Sequence, residues 1–416
     1  MGSFVLHGNI IDSESPERLR VAADSYLVCE EGRCTGVFSA LPERFSGLPL
    51  TDFGDRLILP GMTDLHLHAP QFAFRGLGMD LELLDWLNAH TFPEEAKYAD
   101  LSYAALAYGQ FVDCLRRSAT TRAVVFGTVH PAATTLLMEL LEASGLVSYV
   151  GKVNMDRDCP EALREADAAA SLAATEQWLA SARFAHTKPI LTPRFVPSCS
   201  DALLQGLGEL AACRCRAIFP KISVRSPLCS PCARRRTSMP RPMTAAACFR
   251  SRASWPTACT ARRRSRTCCR RAACSSRIRR SPIPTSAPAL HRSPLIWRAA
   301  CADGLGSDLA AGETENLFRV MAEAIRVAKL RWRLLDDTTA PLTVAQAFYL
   351  ATRGGGAFFG EVGCFEPGFA LDAVVLDDSA LVHPQELTPI ERLERCIYLA
   401  DERHIAAKYV AGTRLF

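Results

Sequence analysis

The chain has 416 residues, 49% of them apolar, and a formal net charge of +4. That length and apolar content allow one large barrel or two to three ordinary domains, and they exclude a globally disordered chain. No apolar run reaches the eighteen or so residues of a membrane-crossing helix, and the opening "MGSFVLHGNIIDSESPERLR" has neither the basic start nor the apolar stretch of a secretory signal. A cytoplasmic protein is the expectation.

The small net charge hides two unlike parts. Between Cys213 and Ala302 there are 20 Arg, one Lys and no Asp or Glu, together with 10 of the 17 Cys, 10 of the 25 Pro and no Gly. Outside that interval acidic residues outnumber basic ones, 44 to 27, and cysteines are sparse, as in a reduced intracellular protein.

The first sixty residues alternate short apolar runs with glycine and polar turns, as in "SYLVCEEGRCTGVFSA" and "DFGDRLILPGMTDLHLH", predicting short strands of a small sheet. From about 75 to 212, helical patterns such as "ADLSYAALAYGQFVDCLRRSA" and "LREADAAASLAATEQWLASARF" alternate with the β-rich runs "TTRAVVFGTVH", "VSYVGKVNM" and "KPILTPRFVPS". Strands alternating with helices predict βα units around a parallel sheet. Alternation resumes at "GLGSDLAAGETENLFRVMAEAIRVAKL" and "PLTVAQAFYLATRGGGAFFG", and the end, "EVGCFEPGFALDAVVLDD" and "KYVAGTRLF", returns to strands and turns. The basic interval follows neither a helical nor a strand period.

Three local patterns carry chemistry. In "LPGMTDLHLHAPQ", strand alternation turns His66 and His68 to the same side, where two imidazoles can share a metal ion or one can be a satisfied, partly buried histidine. In "GLGSDLAAG", Asp308 follows a short apolar run before a helix; it can ligate metal, accept a proton or cap that helix. In "LTPRFVPSCS", Arg194 offers a rigid donor fork and Phe195 an apolar face, suited to a planar ring; the alternative is a surface arginine beside a core phenylalanine.

"PGMTDLHLH" with "GLGSD" resembles the amidohydrolase superfamily. "HLHAPQFAF", "LLDWLNAHTFPEE", "GTVHPAATT", "VGKVNMD" and "KPILTPRFVPSCS" narrow the resemblance to the guanine deaminases, over roughly residues 1–212 and 303–416. The resemblance implies an α/β fold: a (β/α)8 barrel over 61–361 and a small β-sandwich from 1–60 and 362–416. It implies one zinc ion, hydrolysis of guanine to xanthine and ammonia, and a homodimer. His66, His68 and Asp308 would be the metal ligands, with Asp308 also catalytic; Gln71, Arg194 and Phe195 would hold the purine.

The family also carries an "HISEN"-like motif after barrel strand 5, a "MAHC"-like motif at strand 6 and an "IAHSP…SN" motif after strand 7. None is present, and His291 is the only histidine between residues 187 and 382. A displaced reading frame supplies all three in order. Ala217–Ile222 can be encoded so that the shifted frame reads "HISEN"; Ser254–Ala261 admits "MAHCVYS", and Cys274–Ala289 admits "FIAHSPISNTNLSSG". Residues 213–302 are therefore read as an out-of-frame translation of barrel strands 5 to 7, leaving the chain as written inactive. Other readings are a scaffold whose basic insert binds nucleic acid through counterion release, or an amidohydrolase acting on another heterocyclic amine. The insert lacks the aromatic interleaving of single-strand binders, and "CSPC" at 229–232 has no second pair to complete a zinc site. Sequencing the coding DNA decides the matter: codons over 217–289 that spell the three hidden motifs are expected, and codons incompatible with them eliminate the frameshift.

Overall fold

Hydrophobic alternation near the amino terminus builds four strands: β1 (Phe4–Ser15), β2 (Arg18–Glu30), β3 (Arg33–Phe38) and β4 (Leu50–Pro60). These belong to a computed structural model of the chain that describes residues 2–218, 304–338 and 340–416. β1 and β2 run 12 and 13 residues, longer than the sequence pattern predicts, because two register shifts let β1 bend while it stays paired with β2. The β2–β3 hairpin turns on Glu31 and Gly32, both at positive φ, the backbone twist that suits a two-residue hairpin loop.

β4 runs directly into β5 (Met62–His68), the first strand of the barrel layer. β5, β6 (Thr120–Phe126), β7 (Val147–Gly151) and β9 (Thr187–Pro189) form a parallel sheet in that order. The short β8 (Val153–Asn154) and β10 (Thr192–Pro193) continue beyond β7 and β9 as a second parallel pair. Helices Leu101–Arg117, Pro131–Ser144, Ala168–Ser181 and Asp201–Ile218 alternate with these strands, matching the βα reading. Asp100 and Asp167 start the first and third of these by accepting from backbone N–H groups of the first turn. Leu67, Val125 and Val150 from the strands meet Tyr108, Phe111, Leu115, Leu137 and Leu141 from the helices in the main core.

The far end of the chain folds back onto the beginning. β11 (Ala373–Leu376), β12 (Ile405–Val410) and β13 (Thr413–Arg414) extend the terminal sheet to seven strands in the order β13-β12-β11-β4-β1-β2-β3. Helix Pro389–Leu399, between β11 and β12, is absent from the sequence reading above. Its signal was available: Thr388 and Glu391 form a reciprocal capping box with Pro389 at the first helical position. Its Leu393, Cys396 and Ile397 pack with Phe318, Met321 and Ile325 of helix Leu317–Leu334 over Leu57 and Leu59 of β4, joining sheet and barrel.

Two buried polar contacts lock the same junction. Arg122 of β6 donates Nε and Nη2 to the Asp372 carboxylate at 2.8 and 3.0 Å, and Asp372 also accepts from the Ala411 amide at 2.8 Å. Lys408 of β12 donates Nζ to the carbonyls of Leu115, Arg116 and Ser118, satisfying the end of helix Leu101–Arg117. The basic interval read as out of frame lies outside the described residues from 219 on. Among the described residues no helix is long and apolar enough to cross a membrane. Arg122→Met should lower stability by about 3–5 kcal/mol, because it strands a buried carboxylate. The paired change Arg122→Met with Asp372→Leu should recover most of that loss; urea denaturation of the two variants measures the difference.

Candidate metal and ring-binding site

The site begins with a backbone pairing. The segment Leu305–Asp308 lies alongside β5 in the same chain direction: the Leu65 amide donates to the Leu305 carbonyl at 2.9 Å, and the Asp308 amide to the His66 carbonyl at 2.7 Å. Gly306 permits this approach, since a Cβ there would sit 2.7 Å from His66 Cβ. Asp308 itself has φ +51°, a left-handed conformation uncommon for a residue with a side chain. The helix that follows begins only at Leu317 and is capped by Asn316, whose side chain accepts from the Phe318 amide. Helix capping is therefore not what Asp308 does.

Its carboxylate instead reaches both histidines. Asp308 Oδ1 is 3.2 Å from His66 Nε2 and 3.4 Å from His68 Nε2. One candidate ligand atom from each of the three side chains lies within 4.8 Å of the others. The two imidazoles stand edge to face with centroids 4.9 Å apart, and both pack on Phe126 at the end of β6. Phe126 belongs to a buried cluster with Phe74, Trp86, Phe92, Met155 and Ala310, which backs the site with rigid apolar surface.

Asp64, two residues before His66, was not singled out in the sequence. It is fully buried, and its Oδ1 accepts from the His66 amide at 3.1 Å and the Ser307 amide at 3.0 Å, tying β5 to the Asp308 segment. Burial pushes its carboxyl up to about 6 even though those amides oppose the shift.

A second group of side chains forms on the neighbouring strand ends. Gln71 sits in the 3₁₀ turn Ala69–Phe74 that follows His68, and Arg194 follows β10. Both meet Glu95, from the helical stretch Phe92–Ala96. Gln71 Nε2 donates to Glu95 Oε1 at 2.9 Å, and Arg194 Nη1 donates to Oε1 and Oε2 at 2.6 and 2.9 Å. All three residues are buried, so Arg194 is no surface arginine. Phe195 is half-buried, and among the described residues no hydrogen bond or ring contact joins its side chain to either group. Glu95 went unnoticed in the sequence, although it ends the quoted stretch "LLDWLNAHTFPEE". Nearby, His130 and Lys152 are both held below their ordinary pKa by burial, Lys152 against the Glu165 carboxylate at 2.5 Å.

Two nitrogen donors and one carboxylate oxygen converging at strand ends suit a divalent transition metal and leave coordination positions open. Gly306→Ala should push Leu305–Asp308 off β5 and weaken metal binding by about tenfold or more, the scale seen when groups that orient metal ligands are disturbed. Competition with a chromophoric chelator reads the change.

Comparison with known proteins shows the family. The model of the amidohydrolase family matches residues 57–216 and 243–415, and the unmatched stretch 217–242 falls inside the basic interval. The chain is 29% identical to the guanine deaminase of Escherichia coli (strain K12), over all of this chain and 97% of that one. It is 28% identical to the guanine deaminase of Dictyostelium discoideum, over 88% of this chain and 83% of that one. Among solved structures it is similar to guanine deaminase from C. acetobutylicum, determined with guanine in the active site: 34% identity, TM-score 0.82, and complete coverage of both chains. Atrazine chlorohydrolase from Arthrobacter aurescens shares the fold at TM-score 0.74 with 14% identity, over 99% of this chain and 94% of that one. With the family matched over most of its length and a histidine–histidine–aspartate set at the strand ends of its barrel layer, this chain belongs to the amidohydrolase family.

Proposed function

We propose that this chain is built for the hydrolytic deamination of guanine to xanthine and ammonia, with zinc held by His66, His68 and Asp308. The observation that carries the reading is the juxtaposition of that ligand set with the buried Gln71–Glu95–Arg194 group, just beyond the last ligand on β5. End-to-end similarity to a guanine deaminase that holds guanine supports it. Two neutral imidazoles with one carboxylate form a donor set that fits zinc, and a zinc ion bound there would bring water toward hydroxide near neutral pH.

The residues of the chain do the rest. Arg194 and Gln71 hold the purine by its polar edge, and Phe195 covers a ring face. Asp308, held between the two imidazoles, accepts the proton of the attacking water as oxygen bonds to the amino-bearing carbon. That proton must then reach the leaving nitrogen, so that the C–N bond breaks to release ammonia. In the guanine deaminases that this chain resembles, the "HISEN" glutamate would serve the transfer. The chain as written lacks that motif, so we infer a binding site retained with its turnover impaired. Buried, paired Gln71 and Arg194 favour a purine over other heterocyclic amines, since likeness to the triazine enzymes extends to the fold alone. We further infer a homodimer acting in the cytoplasm.

The expected result is about one zinc per chain, lost in His66→Ala and His68→Ala, with guanine bound. Xanthine should form about a hundred- to ten-thousand-fold more slowly than in a relative with the complete motifs. Metal analysis, calorimetric titration with guanine and a xanthine assay measure the three quantities. A chain that holds neither zinc nor guanine would overturn the reading.

A further inference from the structure

We infer that Glu95 is a positioning residue that fixes the hydrogen-bond polarity of the ring-binding group. It would make that group accept an edge with N–H beside C=O and reject the inverted edge. This inference deepens the proposed function and rests on it for the nature of the ligand.

The argument starts from what a carboxylate can do. Paired with Arg194, Glu95 only accepts hydrogen bonds. A glutamine amide has a donating and an accepting end, and rotation about its last bond exchanges them. With Glu95 Oε1 2.9 Å from the Gln71 amide, the nitrogen must face the carboxylate, and the carbonyl oxygen is turned away. That oxygen is buried and has no hydrogen-bond partner among the described residues. A buried acceptor left unpaired costs about 1–3 kcal/mol, so such a group calls for a ligand or another specific reason.

The same carboxylate settles the arginine. Both Glu95 oxygens engage Nη1 of Arg194, at 2.6 and 2.9 Å. Among the described residues no hydrogen-bond partner meets Nε or Nη2, which remain as donors for a ligand. Glu95 also offsets the guanidinium charge, so the group suits an uncharged ring; an unpaired buried cation would be prohibitive. The result is an acceptor from Gln71 beside donors from Arg194. Guanine offers the complement, a carbonyl acceptor adjacent to a ring N–H donor. Adenine presents the reverse on the corresponding edge, an amino donor adjacent to a bare ring nitrogen.

Replacing Glu95 by glutamine would remove the constraint, because an amide can face Gln71 with either end. The test measures guanine and adenine affinity of the full zinc-loaded chain by calorimetry, for wild type, Glu95→Gln and Glu95→Asp. Glu95→Gln should reduce the preference for guanine over adenine by about tenfold or more, as discrimination that relies on unpaired polar groups is lost. Glu95→Asp keeps the charge opposite Arg194, and with it the fold, and should retain the preference even where both affinities fall. A merely structural role would weaken both purines alike and leave their ratio unmoved; that outcome, with guanine still bound, would overturn the assignment. If the wild-type chain takes up no purine, the functional reading fails. The polarity claim is then decided by the Gln71 side-chain amide in ¹⁵N-edited spectra, identified through Gln71→Leu. Its resonances should move in Glu95→Gln without any ligand, and unmoved resonances would overturn the claim.

Discussion

The site depends on one backbone pairing, that of Leu305–Asp308 with β5. Two hydrogen bonds, Leu65 to Leu305 and Asp308 to His66, bring together residues more than two hundred positions apart in sequence. Asp64 reinforces them from within, accepting from one amide on each side of the join. Because strand alternation already turns His66 and His68 to one face, this pairing is enough to bring a carboxylate against both rings. The left-handed backbone at Asp308 is the local cost, of order 1–3 kcal/mol for a residue held in a sparsely populated region. It persists because the surrounding hydrogen bonds over-determine the turn, including the 2.6 Å bond from the Gly312 amide to the Asp308 carbonyl.

The Gln71–Glu95–Arg194 group follows a different physical logic. Arg194 and Glu95 are charged and almost wholly removed from water, which is tolerable only when each charge is paired and its hydrogen bonds are placed. Such pairs add little net stability compared with apolar residues of the same shape. What they supply here is orientation: a fixed fork and a fixed amide, held before any ligand arrives. Pre-placed polar groups of this kind spare a ligand the cost of ordering them.

The sequence disclosed the histidines and the aspartate of the candidate metal cluster but not their supports. His66 and His68 were legible because two histidines two apart on a strand have one geometric consequence, whichever fold surrounds them. Asp308 could be located but not assigned, since an aspartate before a helix reads equally as a cap; the cap at Asn316 settles that only in three dimensions. Asp64 and Glu95 stayed invisible for a shared reason. Each acts through partners far along the chain, Ser307 for one and Arg194 for the other, and no periodicity records a contact across such separations. The pairing of Leu305–Asp308 was hidden too, because a short apolar run before a helix does not name the strand it lies against. Helix Pro389–Leu399, by contrast, was marked by its capping box and could have been found.

The two groups differ in how they relate to the basic interval. Gln71, Glu95 and Arg194 lie wholly upstream of it and take their places from β5, the helical stretch Phe92–Ala96 and β10. Asp308 lies downstream, yet its pairing partner is β5, and its flank is packed by Ala310 and Ala311 against Phe74 and Phe126. The contacts of Asp308 with β5 join the two sides of the interval, whereas those among Gln71, Glu95 and Arg194 lie on one side of it. The chemistry that the resemblance assigns to strands 5 to 7, a further ligand and a proton carrier, is of another kind: it moves protons and completes coordination. On the out-of-frame reading proposed for the interval, recognition and turnover separate, because a ring can be held by groups that take no part in breaking its C–N bond. In the proposed reaction Asp308 alone belongs to both sides of that division, holding metal with His66 and His68 and taking the proton of water, while Gln71, Glu95 and Arg194 serve recognition only.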